Sequence, residues 1–169
     1  WTVEIQLNDG GTQRLTARSI VIAAGARPFV PPLPGLEEVG YVTSDTLWHA
    51  FAALDAPPAR LVVLGGGPIG CELAQSFARL GSTVTQIEMA DRLLAREDAE
   101  VSQYARDSLA RDGVQVLTGH KALRCEQDGT GKFIVVEHGG QEQCIGFDEL
   151  ICAVGRVARL AGYGLEKLG

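Results

Sequence analysis

A strand that runs straight into a glycine-rich turn and out into a helix leaves a chain few folds, and residues 61–80 spell out that order. Leu61, Val62, Val63 and Leu64 form an unbroken apolar run, as in a parallel strand buried on both faces. Gly65-Gly66-Gly67-Pro68-Ile69-Gly70 follows and fits G-x-G-x-x-G, after which Ile69, Leu73, Phe77 and Leu80 recur at helical spacing. Gly65 suits the tight turn, Gly67 lets a pyrophosphate approach the backbone, and Gly70 lets helix and strand pack closely. Pro68 falls near the first helical position, where a missing N–H costs little. The free N–H groups and positive end of that helix would face phosphates.

An acid stands at the matching distance. Gly81 ends the helix, and Thr83-Val84-Thr85-Gln86-Ile87 reads as a second strand with Glu88 at its carboxyl end. A dinucleotide-binding fold places a carboxylate there to hydrogen-bond the adenosine ribose hydroxyls. Turn, helix, strand and acid together predict a dinucleotide site.

Composition removes several other classes. The hydrophobic share of 46% and charged share of 21% are those of a globular protein. A formal net charge of −6, with scattered Lys and Arg, disfavours a nucleic-acid or anionic-membrane surface. No apolar run approaches the roughly 20 residues that span a bilayer. No basic-then-apolar leader opens the chain, and since Trp1 is not an initiator methionine the true N-terminus lies out of view. The cysteines at 71, 125, 144 and 152 form neither C-x-x-C nor C-x-x-x-x-C and have no His cluster, so no metal site is expected. Cys71 and Cys152, in apolar surroundings, read as small buried hydrophobes. His49, His120 and His138 lie in no catalytic motif and read as solvated or structural.

Along the rest of the chain, Thr2 to Leu7 alternates and ends at Asn8-Asp9-Gly10-Gly11, a hairpin signal with a return strand toward Leu15. Ser19-Ile20-Val21-Ile22-Ala23-Ala24 reads as a buried strand stopping at Gly25. Residues 27–35 hold four of the seven prolines and form an extended connector. Ser44 is a candidate cap for a short helix through Leu54. A second helix is expected over residues 97–111, with Glu97 and Asp98 in its first turn, Arg106 and Arg111 near its end, and Gly113 as its stop. Val114 to Leu117 is a third parallel strand. Antiparallel candidates follow at 122–126, 133–137 and 141–145, and a return strand at 149–154 runs into Gly155. The fold class is therefore α/β: a Rossmann-like βαβ nucleotide-binding domain with a small antiparallel β-meander.

Several of these segments resemble the flavin-dependent pyridine nucleotide-disulfide oxidoreductases, whose members include dihydrolipoamide dehydrogenase, glutathione reductase and mercuric reductase. The resemblance lies in Ser19 to Pro28, Pro31-Pro32-Leu33-Pro34-Gly35-Leu36, Gly65 to Glu72, Ala90-Asp91-Arg92-Leu93-Leu94, and Phe147-Asp148-Glu149-Leu150 leading to Ala153-Val154-Gly155-Arg156, in the family's order. It implies a partial FAD-domain segment at 1–45, a connector at 46–58, an NAD(P)-binding Rossmann-like domain at 59–155, and a return segment to the FAD domain at 156–169. The family's N-terminal FAD fingerprint, its redox C-x-x-x-x-C and its C-terminal dimerisation domain are not in this sequence. The resemblance thus implies a piece of a larger cytoplasmic homodimer, unable to turn over alone.

The family's functional residues carry over one by one. Gly65, Gly66, Gly67, Pro68, Ile69 and Gly70 match its phosphate-binding turn, and Glu72 matches a helix glutamate near the nicotinamide and flavin, the one catalytic position present. Ala122 matches a backbone contact to the adenine nucleotide, and Gly155 a glycine near the nicotinamide ribose. Ala24 and Gly25 match positions touching FAD, although the family often has Thr in place of Ala24. Pro68 replaces a gating tyrosine of glutathione reductase-like members, and Ala158-Arg159 stands where Pro-Asn is usual. The implied chemistry is hydride delivery from NADH to FAD, or the reverse, for a disulfide or metal-ion acceptor. A flavoprotein NADH oxidase or ferredoxin reductase without redox disulfide, and a non-catalytic nucleotide-binding module, are the alternatives. The acid Glu88 favours NAD(H) over NADP(H) by repelling a 2′-phosphate, with Arg92 partly offsetting that repulsion.

Overall fold

The computed structural model describes residues 1–167, which fall into two units: Trp1–Ala26 with the residues from Ala158 onward, and Arg27–Val157. In the smaller unit, β1 (Thr2–Gln6) and β2 (Thr12–Thr16) form an antiparallel hairpin with Thr2 opposite Thr16 and Gln6 opposite Thr12. Asp9 Oδ1 accepts the Gly11 N–H at 2.9 Å across the turn. Residues 19–24 depart from the expected buried strand. They carry no regular structure, and Val21 is 88% exposed. A strand buried on both faces needs neighbours on its edges and layers on its faces. Among the described residues, the strands that lie wholly in its own unit are those of a hairpin, which pair with each other.

From the unit boundary onward the chain runs β3 (Ala26–Pro28), α1 (Leu36–Val39), β4 (Val42–Thr43), α2 (Leu47–Phe51), β5 (Arg60–Leu64), α3 (Pro68–Arg79), β6 (Thr83–Glu88), α4 (Ala99–Arg111), β7 (Gln115–Thr118), β8 (Lys121–Asp128), β9 (Gly131–His138), β10 (Gln141–Phe147), β11 (Glu149–Cys152) and β12 (Arg156–Ala158), which ends at the next boundary. Five strands form a parallel sheet in the order β4-β11-β5-β6-β7, and β10-β9-β8 form an antiparallel meander. Helices α3 and α4 are the crossovers that parallel neighbours require.

Strand alternation decides what packs where. Leu61, Val63, Val84 and Ile151 cluster with Ala74 and Phe77 of α3 and Leu109 of α4. Residues of the same strands that point the other way, Val62, Leu64, Ile87, Leu150 and Cys152, cluster with Leu36, Val39, Cys125, Ile134, Val136 and Phe147. The sheet therefore carries helices on one face and the meander with α1 on the other, which is why β5 reads as a continuous apolar run. At its start, Arg60 donates through its backbone N–H to Asp148 Oδ2 at 2.8 Å and through Nη2 to Asp148 Oδ1 at 2.6 Å. That pairing ties β5 to the approach to β11.

Two helix boundaries differ from expectation. Helix α2 spans only Leu47–Phe51 and follows Thr46, whose Oγ1 accepts the Thr43 N–H at 2.9 Å. Ser44 is not its cap, because that hydroxyl donates to Asp45 and accepts from Arg156 Nη1 at 3.1 Å. Helix α4 starts at Ala99; Asp98, in extended conformation, precedes it, so Glu100 is the acid of its first turn rather than Glu97 or Asp98.

Candidate functional site

The turn between β5 and α3 is defined by what its glycines exclude. Gly65 lies at φ 117°, a region L side chains rarely adopt, and a Cβ there would come within 2.5 Å of the Ala153 carbonyl oxygen. A Cβ at Gly66 would lie 2.8 Å from Glu88 Cγ and 2.8 Å from Leu93 Cδ2, and one at Gly70 would run into the Gly65 carbonyl oxygen. Gly67 differs, since a Cβ there would meet nothing within 4 Å. Three glycines thus serve close packing of the protein on itself, and Gly67 leaves the outer side of the turn open.

The peptide groups of the turn are held from several directions. Gly65 N–H donates to Ile87 O at 2.8 Å and Leu94 N–H to Gly66 O at 2.8 Å. Gly66 N–H donates to Glu88 Oε2 at 2.5 Å, and Ala90 N–H to Glu88 Oε1 at 2.7 Å. Leu94, at φ 49°, accepts a left-handed backbone in making its contact. With Pro68 at its first position, α3 leaves the N–H groups of Gly67, Ile69 and Gly70 without intrahelical acceptors. These donors and the helix dipole form an anion-binding end beside a carboxylate whose two oxygens are already oriented.

The structure brings Gly65, Gly66, Gly67, Pro68, Ile69, Gly70 and Glu88 together at the carboxyl ends of β5 and β6. Gly155, at φ 144°, lies two residues beyond the Ala153 carbonyl that packs on Gly65. Glu72 sits exposed in the second turn of α3, where its backbone carbonyl accepts the Ser76 hydroxyl at 2.7 Å. Ala122 lies in β8 opposite Val136, just before a register irregularity, and packs on the meander-side core. It follows His120, whose N–H donates to Glu88 O at 3.0 Å. Ala24 and Gly25 belong to the smaller unit, where Gly25 O accepts the Arg159 N–H at 3.0 Å. Arg92 uses its guanidinium on Ala95 O at 3.0 Å.

Sequence reasoning passed over two features of this site. His120 and His138 stack with centroids 4.3 Å apart and planes 7° from parallel, beside the end of β6. Gln86, wholly buried, reaches under the turn and donates to Gly65 O at 3.0 Å. The available signal was an amide on the same face of the strand as Val84, two residues before the acid. Burial pushes the Cys125 thiol up to about 11 and raises those of Cys71 and Cys152. No group of three or more metal-ligating side chains occurs among the described residues. No helix among them is long and apolar enough to cross a membrane.

The pyridine nucleotide-disulphide oxidoreductase family model matches residues 2–169. The chain belongs to this family. Among curated relatives it is 38% identical to mercuric reductase of Staphylococcus aureus, over 98% of the chain and 29% of the relative. It is 39% identical to dihydrolipoamide dehydrogenase of Chaetomium thermophilum, over 99% of the chain and 33% of the relative. Among solved structures it resembles LpdA from Mycobacterium tuberculosis with a TM-score of 0.77 at 27% identity, covering 98% of the chain and 35% of that protein. The chain thus spans about a third of the length of the relatives it matches. These likenesses agree with the α/β reading, a parallel sheet with an antiparallel meander.

Proposed function

We propose that this chain is the NAD(H)-binding domain of an FAD-dependent oxidoreductase that exchanges hydride between NADH and flavin on the way to a disulfide or metal-ion acceptor. The observation that carries the reading is the Glu88 carboxylate, fixed by the N–H groups of Gly66 and Ala90 beside the open N-terminus of α3. The residues fit a dinucleotide, since the outer side of Gly67 is clear and three backbone donors are available. In this reading the pyrophosphate rests on the N–H groups of Gly67, Ile69 and Gly70. Glu88 accepts from ribose hydroxyls with lone pairs its backbone donors leave free. Ala122 offers backbone to the adenine end, and Gly155 to the nicotinamide ribose. Glu72 supplies a carboxylate near the nicotinamide.

Bound nicotinamide and flavin supply the redox chemistry, and the chain supplies position and charge. The FAD contact falls to Ala24 and Gly25, where a Cβ on Gly25 would meet nothing within 4 Å and a ligand can come close to the backbone. We place the domain boundaries at 59–155, with flanking segments at 1–45 and 156–169 that belong to the FAD domain. The whole protein acts as a homodimer in the cytoplasm, a compartment consistent with its four free cysteines.

Isothermal titration of the chain with NADH and with NADPH tests the reading. NADH should bind more tightly, because a 2′-phosphate beside Glu88 costs on the order of a few kcal/mol. Tighter binding of NADPH would refute the role of Glu88, and absence of binding by either would refute the nucleotide site.

A further inference from the structure

Gln86 is a wholly buried amide in β6, paired with Val63 of β5 on one side and Val116 of β7 on the other. Alternation puts it on the helix face of the sheet with Val84, directly beneath the crossing of the turn and α3. Its Nε2 donates to Gly65 O at 3.0 Å and lies 3.6 Å from Cys71 Sγ. A Cβ on Gly70 would sit 3.3 Å from the same nitrogen. The orientation of the amide is set by these neighbours, because the flipped form would press Oε1 against the Gly65 carbonyl. In the observed orientation Oε1 is buried and has no hydrogen-bond partner.

A buried oxygen left unpaired opposes folding; an apolar side chain of similar shape would remove that penalty but would leave the carbonyl of buried Gly65 without the donor it has here, so the two roughly cancel. The amide therefore adds little net stability to the core, and what it holds is the turn. The Gly65 carbonyl is the atom on which Gly70 packs, and the Gly65–Gly66 peptide presents the N–H that Glu88 accepts. The Cys71 thiol adds a second support, donating to Gly66 O at 3.6 Å.

We propose that Gln86 is a positioning residue for the phosphate-binding turn, holding the Gly65 carbonyl so that the turn and the Glu88 carboxylate are set before nucleotide arrives, with little net gain in fold stability. This rests on the reading of the chain as a dinucleotide-binding domain. Gln86 itself does not touch the nucleotide. It acts through Gly65, and through the Gly66 N–H on Glu88.

The test compares the chain with Gln86→Met, which keeps the volume and removes the polar group. Calorimetric titration with NADH and with ADP-ribose, both carrying the pyrophosphate, is paired with ligand-free thermal unfolding. The expected result is affinity for both ligands reduced about tenfold, or about 1.4 kcal/mol, with the unfolding temperature nearly unchanged. A merely structural amide would instead lower both together, and that result overturns the proposal. So does a Gln86→Met protein that binds as tightly as the parent. Should Gln86→Met not fold, Gln86→Leu takes its place, and failure of both to fold assigns the amide to the core and also overturns the proposal. If the parent binds neither ligand, the dinucleotide reading itself fails, and the role of Gln86 falls with it.

Discussion

Alanine at Gly67 and alanine at Gly70 should separate ligand binding from folding within one turn of chain. Gly67 sits at φ −77° and ψ −179°, open to any residue, and a Cβ there has no neighbour within 4 Å. The gain of about 0.4–1 kcal/mol from a stiffer unfolded chain is met by a comparable loss, since alanine is the weaker N-cap. Stability should stay within about 0.5 kcal/mol of the parent. Gly70 is the opposite case. Alanine gains about 1 kcal/mol of helix propensity, but its Cβ would enter the Gly65 carbonyl oxygen and lie 3.1 Å from the carbonyl carbon. Those are backbone atoms pinned by Gln86 and Ile87, so the overpacking cost falls near the upper end of about 1–3 kcal/mol. The net loss of about 2 kcal/mol corresponds to roughly 4–8 °C in unfolding temperature for a chain of this size. Calorimetric unfolding and NADH titration read both effects. Gly67→Ala should unfold like the parent yet bind NADH at least about tenfold more weakly, because the methyl occupies the side from which a pyrophosphate would approach. Gly70→Ala should lose both. A Gly67→Ala protein with parental affinity, or a Gly70→Ala protein with parental unfolding temperature, would refute this account of the turn.

Other substitutions probe the neighbouring groups. Glu88→Gln turns an N–H toward the Gly66 or Ala90 donor, so a loss of about 1–3 kcal/mol in stability should accompany weaker NADH binding in the same two assays. Arg60 holds the Asp148 carboxyl below the usual carboxylate range through their hydrogen bonds. Its folded-state pKa is depressed, so that stabilisation is present above the unfolded value and lost as pH falls through the folded one. Because the pair is largely exposed, Asp148→Asn should cost only about 0.5 kcal/mol at pH 7. Urea midpoints of parent and variant should converge in acid; a gap that persists there would count against the pairing. Among the thiols, exposed Cys144 should react first with a disulfide reagent at pH 8, while Cys125, Cys152 and the half-buried Cys71 wait for unfolding. Mass mapping that finds Cys125 or Cys152 modified early would contradict their burial.

Much of the site is legible in the sequence. Four apolar residues, a glycine pattern and a helical repeat can be read from 61–80 because each depends on near neighbours, and so can the acid that ends the next strand. Local patterns also located the three meander strands and the second crossover helix. The strand expected at 19–24 failed for the converse reason: Ile20, Val21 and Ile22 have strand character, but pairing needs partners that no local pattern supplies. Likewise the Thr43–Thr46 contact, not Ser44, precedes α2, because the Ser44 hydroxyl is drawn to Asp45 and Arg156, the latter more than a hundred residues away.

The chain on its own determined the strand–turn–helix unit and the position of its acid, since 3.6-residue and 2-residue periods and the conformational reach of glycine are properties of short segments. Tertiary structure alone decided that the sheet order is β4-β11-β5-β6-β7 and that the last strand packs Ala153 onto Gly65. It alone turned Glu88 back onto the Gly66 N–H, stacked His120 on His138, and left one oxygen of Gln86 without a partner. The contacts among these join residues about twenty or more apart, and they follow, like the unpaired oxygen, from how layers pack rather than from what adjoins them in the chain.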